Sequence, residues 1–440
     1  TTHRQAALTK RSGPFAVRCF VLEFTKSSRR RHEIAVFISY DVIVAKLQHV
    51  SPISPSPFTT HRQNAPVQSR GVLSVYSRFI FLAFAPRLGY DTIEIEQQEG
   101  LSMRDGFIKV AAGTPKIKVA DCEYNAGQII ALMREAAAQG VKVLALPELC
   151  VTGYTCGDLF LQETLLRGAE DALGRILEET KELDMLTAVG LPVRGQNELY
   201  NCAAVISKGR ILGLVPKNHI PNYGEFYEAR WFTSGVGLDS SVTLCGQYPD
   251  LYSSQLFVCE EMPNLTVGVE LCEDLWAVAP PSTHLAALGA TVILNLSASD
   301  EVAGKSAYRR QLVAGQSGRL VCGYVYADAG EGESTTDLVF AGHNIIAENG
   351  AVLAETRFQT GLTVSEIDVD RLAFERRKMN TYDTQTTNWV RATFSLCAEE
   401  TKLTRPIGKN PFVPEGAGDR QARCEEIFTI GALGLKKRRE

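Results

Sequence analysis

From residue 107 onward the chain alternates between two hydrophobic periods. Short apolar and β-branched runs at 107–112, 117–119, 141–146, 186–189, 202–206, 211–215, 265–271, 291–294 and 320–326 predict strands. Between some of these runs apolar residues return at helical spacing. Ala126, Ile129, Ile130, Met133 and Ala137 mark one helix, with Gly140 placed to end it. Leu165, Leu166, Ala169, Leu173, Ile176 and Leu177 mark a second, and two more are expected around 282–288 and 305–316. Lys208-Gly209 predicts a tight turn, and Asn349-Gly350, set between runs 344–347 and 351–354, predicts a hairpin. Strands alternating with helices, with hairpins added, predict an α/β protein with mixed sheets.

The two ends depart from this pattern. Residues 1–102 show no regular period. Thr-Thr-His-Arg-Gln occurs at 1–5 and again at 59–63, and Ser51-Pro-Ile-Ser-Pro-Ser-Pro57 is a low-complexity breaker. We expect this segment to be an extension, either disordered or translated from upstream of a natural start at Met103. The codons for Glu99-Gly100 would resemble a ribosome-binding site just before such a start. Around 401–418 the chain is rich in Pro and Gly and reads as a linker, with a final helix beginning at Asp419. The expected organisation is therefore 1–102, 103–400 and 401–440.

Composition narrows the functional classes. With 45% hydrophobic and 22% charged residues the chain reads as soluble and globular. Its net charge of -4 hides a basic first segment, in which residues 1–90 hold only Glu23, Glu33 and Asp41 as acids. No coherent element presents those charges, so neither nucleic acid nor a membrane surface is expected as a partner. The apolar stretch 72–85 is broken by Arg78 and is too short to span a bilayer. The eleven cysteines are scattered without Cys-x-x-Cys pairs or histidines at metal spacing. Reduced thiols in a cytoplasmic protein without a metal site are the expectation.

Three strand ends carry complementary chemistry. The run 141–146 leads through Pro147 to Glu148, the run 211–215 through Pro216 to Lys217, and the run 265–271 directly to Cys272. A glutamate, a lysine and a cysteine so placed can serve as base, oxyanion stabiliser and nucleophile in attack on an amide. Taken singly, a cysteine after an apolar strand is usually an inert core residue, and the two charged groups would be ordinary turn residues. Their joint occurrence in chain order carries the reading.

That order resembles the nitrilase, or carbon–nitrogen hydrolase, superfamily. The segments Pro147–Tyr154, Pro216–Glu228, Glu270–Trp276 and Asn295–Ser299 are similar, more narrowly, to the glutaminase domain of the glutamine-dependent NAD(+) synthetase family. The resemblance covers about residues 103–400 and implies a four-layer α-β-β-α sandwich. It implies that Cys272 attacks the side-chain amide of glutamine to form a thioester. Glu148 would act as general base and acid, and Lys217 with the backbone N–H of Glu273 would stabilise the oxyanion. Glu228 would position the lysine or the substrate, and Tyr154, Tyr223 and Ser299 would line the glutamine pocket. No cofactor is expected for this step. ATP and Mg²⁺ would belong to a synthetase domain, encoded in the same gene or supplied separately, and a homo-oligomer is expected. Ser234-Gly-Val-Gly-Leu-Asp-Ser240 resembles a pyrophosphate loop but has an extra residue and follows no apolar strand, so we do not expect it to cradle phosphate. A stand-alone amidase acting on another small amide, or a catalytically silent interaction module, are the rival readings.

Overall fold

The computed structural model describes residues 5–9, 18–24, 33–36, 106–382, 390–397, 399–408, 413–414 and 416–439. The chain divides into two units, Thr1–Ile95 and Glu96–Glu440. In the first, β1 (Gln5–Thr9), β2 (Arg18–Phe24) and β3 (Glu33–Val36) form an antiparallel sheet in that order. Sequence periodicity foresaw no element there, although β2 is rich in the aromatic and β-branched residues that favour strands. The breaker at 51–57, the apolar stretch 72–85 and the expected start at Met103 lie outside the described residues.

The second unit is built on two mixed sheets. The eight-stranded sheet contains β4 (Phe107–Thr114), β5 (Val143–Ala145), β6 (Leu186–Arg194), β7 (Leu199–Ser207), β8 (Arg210–Pro216), β9 (Asp239–Ser241) and β10 (Asp250–Tyr252). The seven-stranded sheet contains β11 (Gln255–Cys259), β12 (Thr266–Leu271), β13 (Val292–Ser297), β14 (Gly323–Asp328), β15 (Asn344–Glu348) and β16 (Ala351–Thr356). Next in the chain, β17 (Gly361–Asp368) returns to pair with β4 in the first of these sheets, and β18 (Val390–Phe394) joins β11 in the second. The spatial orders are β17-β4-β5-β6-β7-β8-β10-β9 and β16-β15-β14-β13-β12-β11-β18.

Strand alternation generates the layers. Ile108, Val110, Val143, Ala145, Ala188 and Val205 of one sheet pack with Val267, Val269, Leu271, Val292, Leu294 and Val325 of the other to form the inter-sheet core. The opposite residues of the first sheet, Ala111, Leu144, Val189 and Ala204, meet Ile129, Met133, Leu173 and Ile176 of α1 (Cys122–Ala138) and α2 (Glu163–Thr180). In sequence order the next helices are α3 (Glu273–Trp276), α4 (Pro281–Leu288) and α5 (Lys305–Leu320). Leu285 of α4 and Val313 and Leu320 of α5 cover Ile293, Tyr324 and Ile345 on the outer face of the second sheet. The result is the expected α-β-β-α sandwich. Each fully buried aliphatic side chain in these layers contributes ~1.5–3 kcal/mol.

Three sequence expectations are corrected. The run 117–119 is not a strand: Ile117 donates to Glu331 O at 3.1 Å, and Lys118 exchanges hydrogen bonds with the Asn125 side chain. The run 320–326 begins inside α5, and Val321, at φ 47°, turns the chain before β14. An apolar run shared by a helix end and a strand cannot be divided by hydrophobicity alone. The strand expected at 141–146 is confined to β5, while Val141 donates to Ala136 O.

After β17 the chain forms α6 (Val369–Lys378), and further on a segment expected as linker is held to the sandwich. Thr401 donates to Phe107 O, Thr404 and Arg405 donate to the Glu366 carboxylate, and Arg405 pairs with Glu348 at 2.9 Å. The final helix, α7 (Ala417–Arg439), buries none of its residues. Among the described residues no helix is long and apolar enough to cross a membrane.

Candidate active site

Two strand ends of one sheet, those of β5 and β8, converge with one of the other, that of β12. Glu148 follows β5, and its N–H reaches Ser297 O at the end of β13 at 3.3 Å, joining the two sheets. Its peptide lies so close to β6 that a Cβ on Gly190 would stand 2.4 Å from Pro147 O and Leu149 N, which leaves glycine as the residue that fits. Lys217 follows β8, donates its N–H to Asn201 O of β7 at 2.8 Å, and accepts from Gly235 N at 2.8 Å. Cys272 follows β12 and donates its N–H to Leu296 O of β13 at 2.9 Å. It sits at φ 41°, ψ −99°, a strained turn that takes the chain abruptly out of the strand into α3.

At the floor, Lys217 Nζ is 2.6 Å from Glu148 Oε1 and 2.6 Å from Glu228 Oε1. Asn201 Nδ2 donates to Glu148 Oε1 at 2.6 Å, Ala298 N to Glu148 Oε2 at 3.0 Å, and Tyr154 OH to Glu228 Oε1 at 2.8 Å. All these side chains are buried. Burial alone would lower the Lys217 pKa, but Glu148 and Glu228 outweigh it and hold the ammonium well above its ordinary range. Burial pushes Glu228 up to about 7 against the pull of Lys217. The Cys272 thiol is pushed well up, first by burial and then by Glu148, with Lys217 and the Ala298 N–H pulling the other way. The shift favours the protonated thiol, and the charges of Glu148, Lys217 and Glu228 all act on it.

At the rim, Tyr223 OH donates to Glu273 Oε1 at 2.8 Å and the Tyr223 ring meets Phe226 edge-on at 5.9 Å. Lys305 Nζ lies 5.3 Å from the Trp276 ring and 5.7 Å from that of Phe226, and it pairs with Asp300. Burial raises the Glu273 carboxyl, offset in part by Tyr223, Lys217 and Lys305. Ser299 belongs to an adjoining network. Its N–H donates to Asp328 Oδ1 at 2.8 Å, and its Oγ accepts from Arg309 at 3.0 Å. The fully buried Arg309 also donates to Asp300 O at 2.9 Å and pairs with Glu301 at 3.0 Å.

Of the residues singled out from sequence, Glu148, Lys217, Glu228 and Tyr154 form one hydrogen-bonded cluster whose charges act on Cys272, Tyr223 and Glu273 pair at the rim, and Ser299 is held by Arg309 and Asp328. Sequence reasoning missed Asn201, Asp274, Lys305 and Arg309. Asn201 offered a signal, a polar residue inside an apolar strand, which burial tolerates only when it is hydrogen-bonded. The Ser234–Ser240 loop runs into β9 rather than a helix, and Ser234 Oγ is spent on Asn218 O, so these residues do not fit a phosphate cradle. No group of three His, Cys, Asp or Glu among the described residues could hold a metal ion.

The carbon–nitrogen hydrolase family model matches residues 109–377. Over 345 residues the chain is 38% identical to the glutamine-dependent NAD(+) synthetase of Mycobacterium tuberculosis, covering 76% of this chain and 51% of that protein. Among solved structures, the glutamine-dependent NAD(+) synthetase of Cytophaga hutchinsonii is similar with a TM-score of 0.53 at 30% identity, over 59% of this chain and 42% of that one. The enzyme of the same description from Acinetobacter baumannii gives a TM-score of 0.51 at 26% identity, over 60% and 46% of the two chains. This chain thus spans about half the length of the M. tuberculosis protein. The family pattern runs through the strands of both sheets and takes in all three strand-end residues, and the chain belongs to the carbon–nitrogen hydrolase family.

Proposed function

We propose that this chain hydrolyses the side-chain amide of glutamine through a thioester on Cys272 and releases ammonia for NAD(+) synthesis. The observation that carries the reading is the buried Lys217 ammonium, fixed between Glu148 and Glu228 and acting on the thiol at the end of β12. Glu148 takes the Sγ proton as sulfur attacks the amide carbon. The negative charge that develops on the amide oxygen would be met by Lys217 and by the backbone N–H of Glu273. Collapse of the tetrahedral adduct breaks the C–N bond, Glu148 returns its proton to the departing nitrogen, and ammonia leaves. Water, deprotonated by Glu148, then attacks the thioester, and the thiol leaves with that proton as glutamate forms.

The rim supports an amino acid as substrate rather than a plain amide. A carboxylate, Glu273, held by Tyr223, and an ammonium, Lys305, paired with Asp300 and acting on Glu273, offer charges that suit an α-ammonium and an α-carboxylate. Tyr154 and Ser299 would complete the pocket, one through Glu228 and the other through Arg309. We place the use of ammonia in a synthetase partner that would amidate nicotinic acid adenine dinucleotide with ATP and Mg²⁺. Glutamate release from glutamine, compared with ammonia release from simple aliphatic amides, tests the assignment. Preference for glutamine is expected, and equal or better turnover of aliphatic amides would overturn it.

A further inference from the structure

Glu148 and Lys217 are secured across the inter-sheet gap by different means. Glu148 reaches the second sheet itself, through its own N–H to Ser297 O and through the Ala298 N–H on its carboxylate. Among the described residues Lys217 has main-chain bonds only to Asn201 and Gly235, on its own side of the sandwich. What ties its strand end to the nucleophile turn is Asp274, two residues beyond Cys272. This carboxylate is 1% exposed. Its Oδ2 accepts from Leu271 N at 3.1 Å and from Asn218 N at 3.4 Å, while Oδ1 accepts from His219 N at 2.8 Å and lies 2.8 Å from His219 Nδ1. Asp274 thus holds the residue before the cysteine and the two residues after the lysine. A second tie, Tyr223 to Glu273, is made by an exposed tyrosine on a longer loop.

We propose that Asp274 is a positioning residue that sets Lys217 against the reacting carbonyl oxygen by clamping the lysine loop to the cysteine turn. The inference rests on the hydrolytic reading above. A buried acid with four polar contacts on two segments is a fixed reference for both, and an ammonium aimed at an oxyanion loses most of its effect when displaced by about 1 Å. In Asp274→Asn the amide NH₂ replaces an acceptor and faces donors, so one segment is released.

The experiment uses the full chain and three readouts: kcat and KM for glutamine, the rate at which iodoacetamide alkylates Cys272, and the thermal midpoint. Alkylation creates no oxyanion and has no need of Lys217 at a carbonyl oxygen. Asp274→Asn is expected to lower kcat about 100-fold, with KM within about 3-fold and alkylation within about 3-fold of wild type. His219→Asn, which keeps both backbone bonds, is expected to lower kcat less than 10-fold. An active wild type with Asp274→Asn equally active would overturn the inference alone. Hydrolysis and alkylation lost in equal proportion, with a lowered midpoint, would also overturn it, by making Asp274 a structural residue. A wild-type chain that is alkylated but releases no glutamate would overturn the functional reading and this inference with it.

Discussion

At the floor of the site Glu148, Lys217 and Glu228 are at most 2% exposed, and each is held by at least two hydrogen bonds. At the rim Tyr223 is 59% exposed and reaches Glu273 through a single hydroxyl. The contrast separates two tasks. Charges fixed in a dry floor act strongly on an oxyanion, because little water screens them and nothing must reorganise during reaction. Groups at a wet rim are worth less each, and under the proposed function they would meet the substrate first.

Floor substitutions should therefore have the largest effects and act on kcat. Glu148→Gln should cut glutamine turnover by about 10³-fold, because it removes the acceptor of the thiol proton while leaving shape intact. Steady-state kinetics checks this, and a loss confined to KM would contradict the assignment. Lys217→Met should lower kcat by at least about 100-fold and also destabilise the chain by about 3–5 kcal/mol, since two buried carboxylates lose their cation. Denaturant unfolding of the variant measures the second effect, and unchanged stability would mean that the floor is wetter than the geometry indicates.

A pH experiment sharpens the comparison from a buried carboxyl two residues before Cys272. Glu270 lies in β12, accepts from Ser282 N at 2.7 Å, is hydrogen-bonded by Tyr324, and is raised by burial to about 7. A carboxyl raised in the folded state binds a proton between its unfolded value, near 4.5, and 7. Stability linked to it is present below 4.5 and falls as pH rises through that window, by on the order of 3 kcal/mol. Unfolding of wild type and Glu270→Gln from pH 4.5 to 7 should show the steeper decline in wild type. Equal slopes would refute the shift.

The rim gives the smallest effect. Tyr223→Phe removes one exposed hydrogen bond worth about 1 kcal/mol, so KM for glutamine should rise about 3–10-fold with kcat within about 2-fold. A kcat loss comparable to that of Glu148→Gln would erase the distinction between floor and rim.

The sequence made the floor readable where chemistry sits next to a strand. Glu148, Lys217 and Cys272 each follow an apolar run, and the alternation of periods already implied an α/β protein with mixed sheets, while the four-layer arrangement came from the family resemblance. It could not reveal partners brought together by folding. Asp274 looks like one more acid in Cys272-Glu-Asp-Leu-Trp276, and its partners His219 and Asn218 lie more than 50 residues away. Arg309 belongs to a helix whose neighbours include other arginines, and only packing shows that it is the fully buried one. Lys305 gains meaning from Trp276 and Phe226, which the fold places beside it. The misread run 117–119 has strand-like alternation, but its polar groups are met by Asn125 and Glu331 rather than by a neighbouring strand. Local pattern specifies elements, and long-range hydrogen bonding decides which of them become a site.

The central claim is a covalent step at one sulfur. The most direct measurement is mass spectrometry of the full chain mixed with glutamine and quenched in acid within the turnover time. The account predicts a glutamyl increment on the peptide carrying Cys272, absent from Cys272→Ala, which should also release no glutamate above background. Glutamate release by Cys272→Ala at near the wild-type rate, with no adduct on the wild-type peptide, would contradict it.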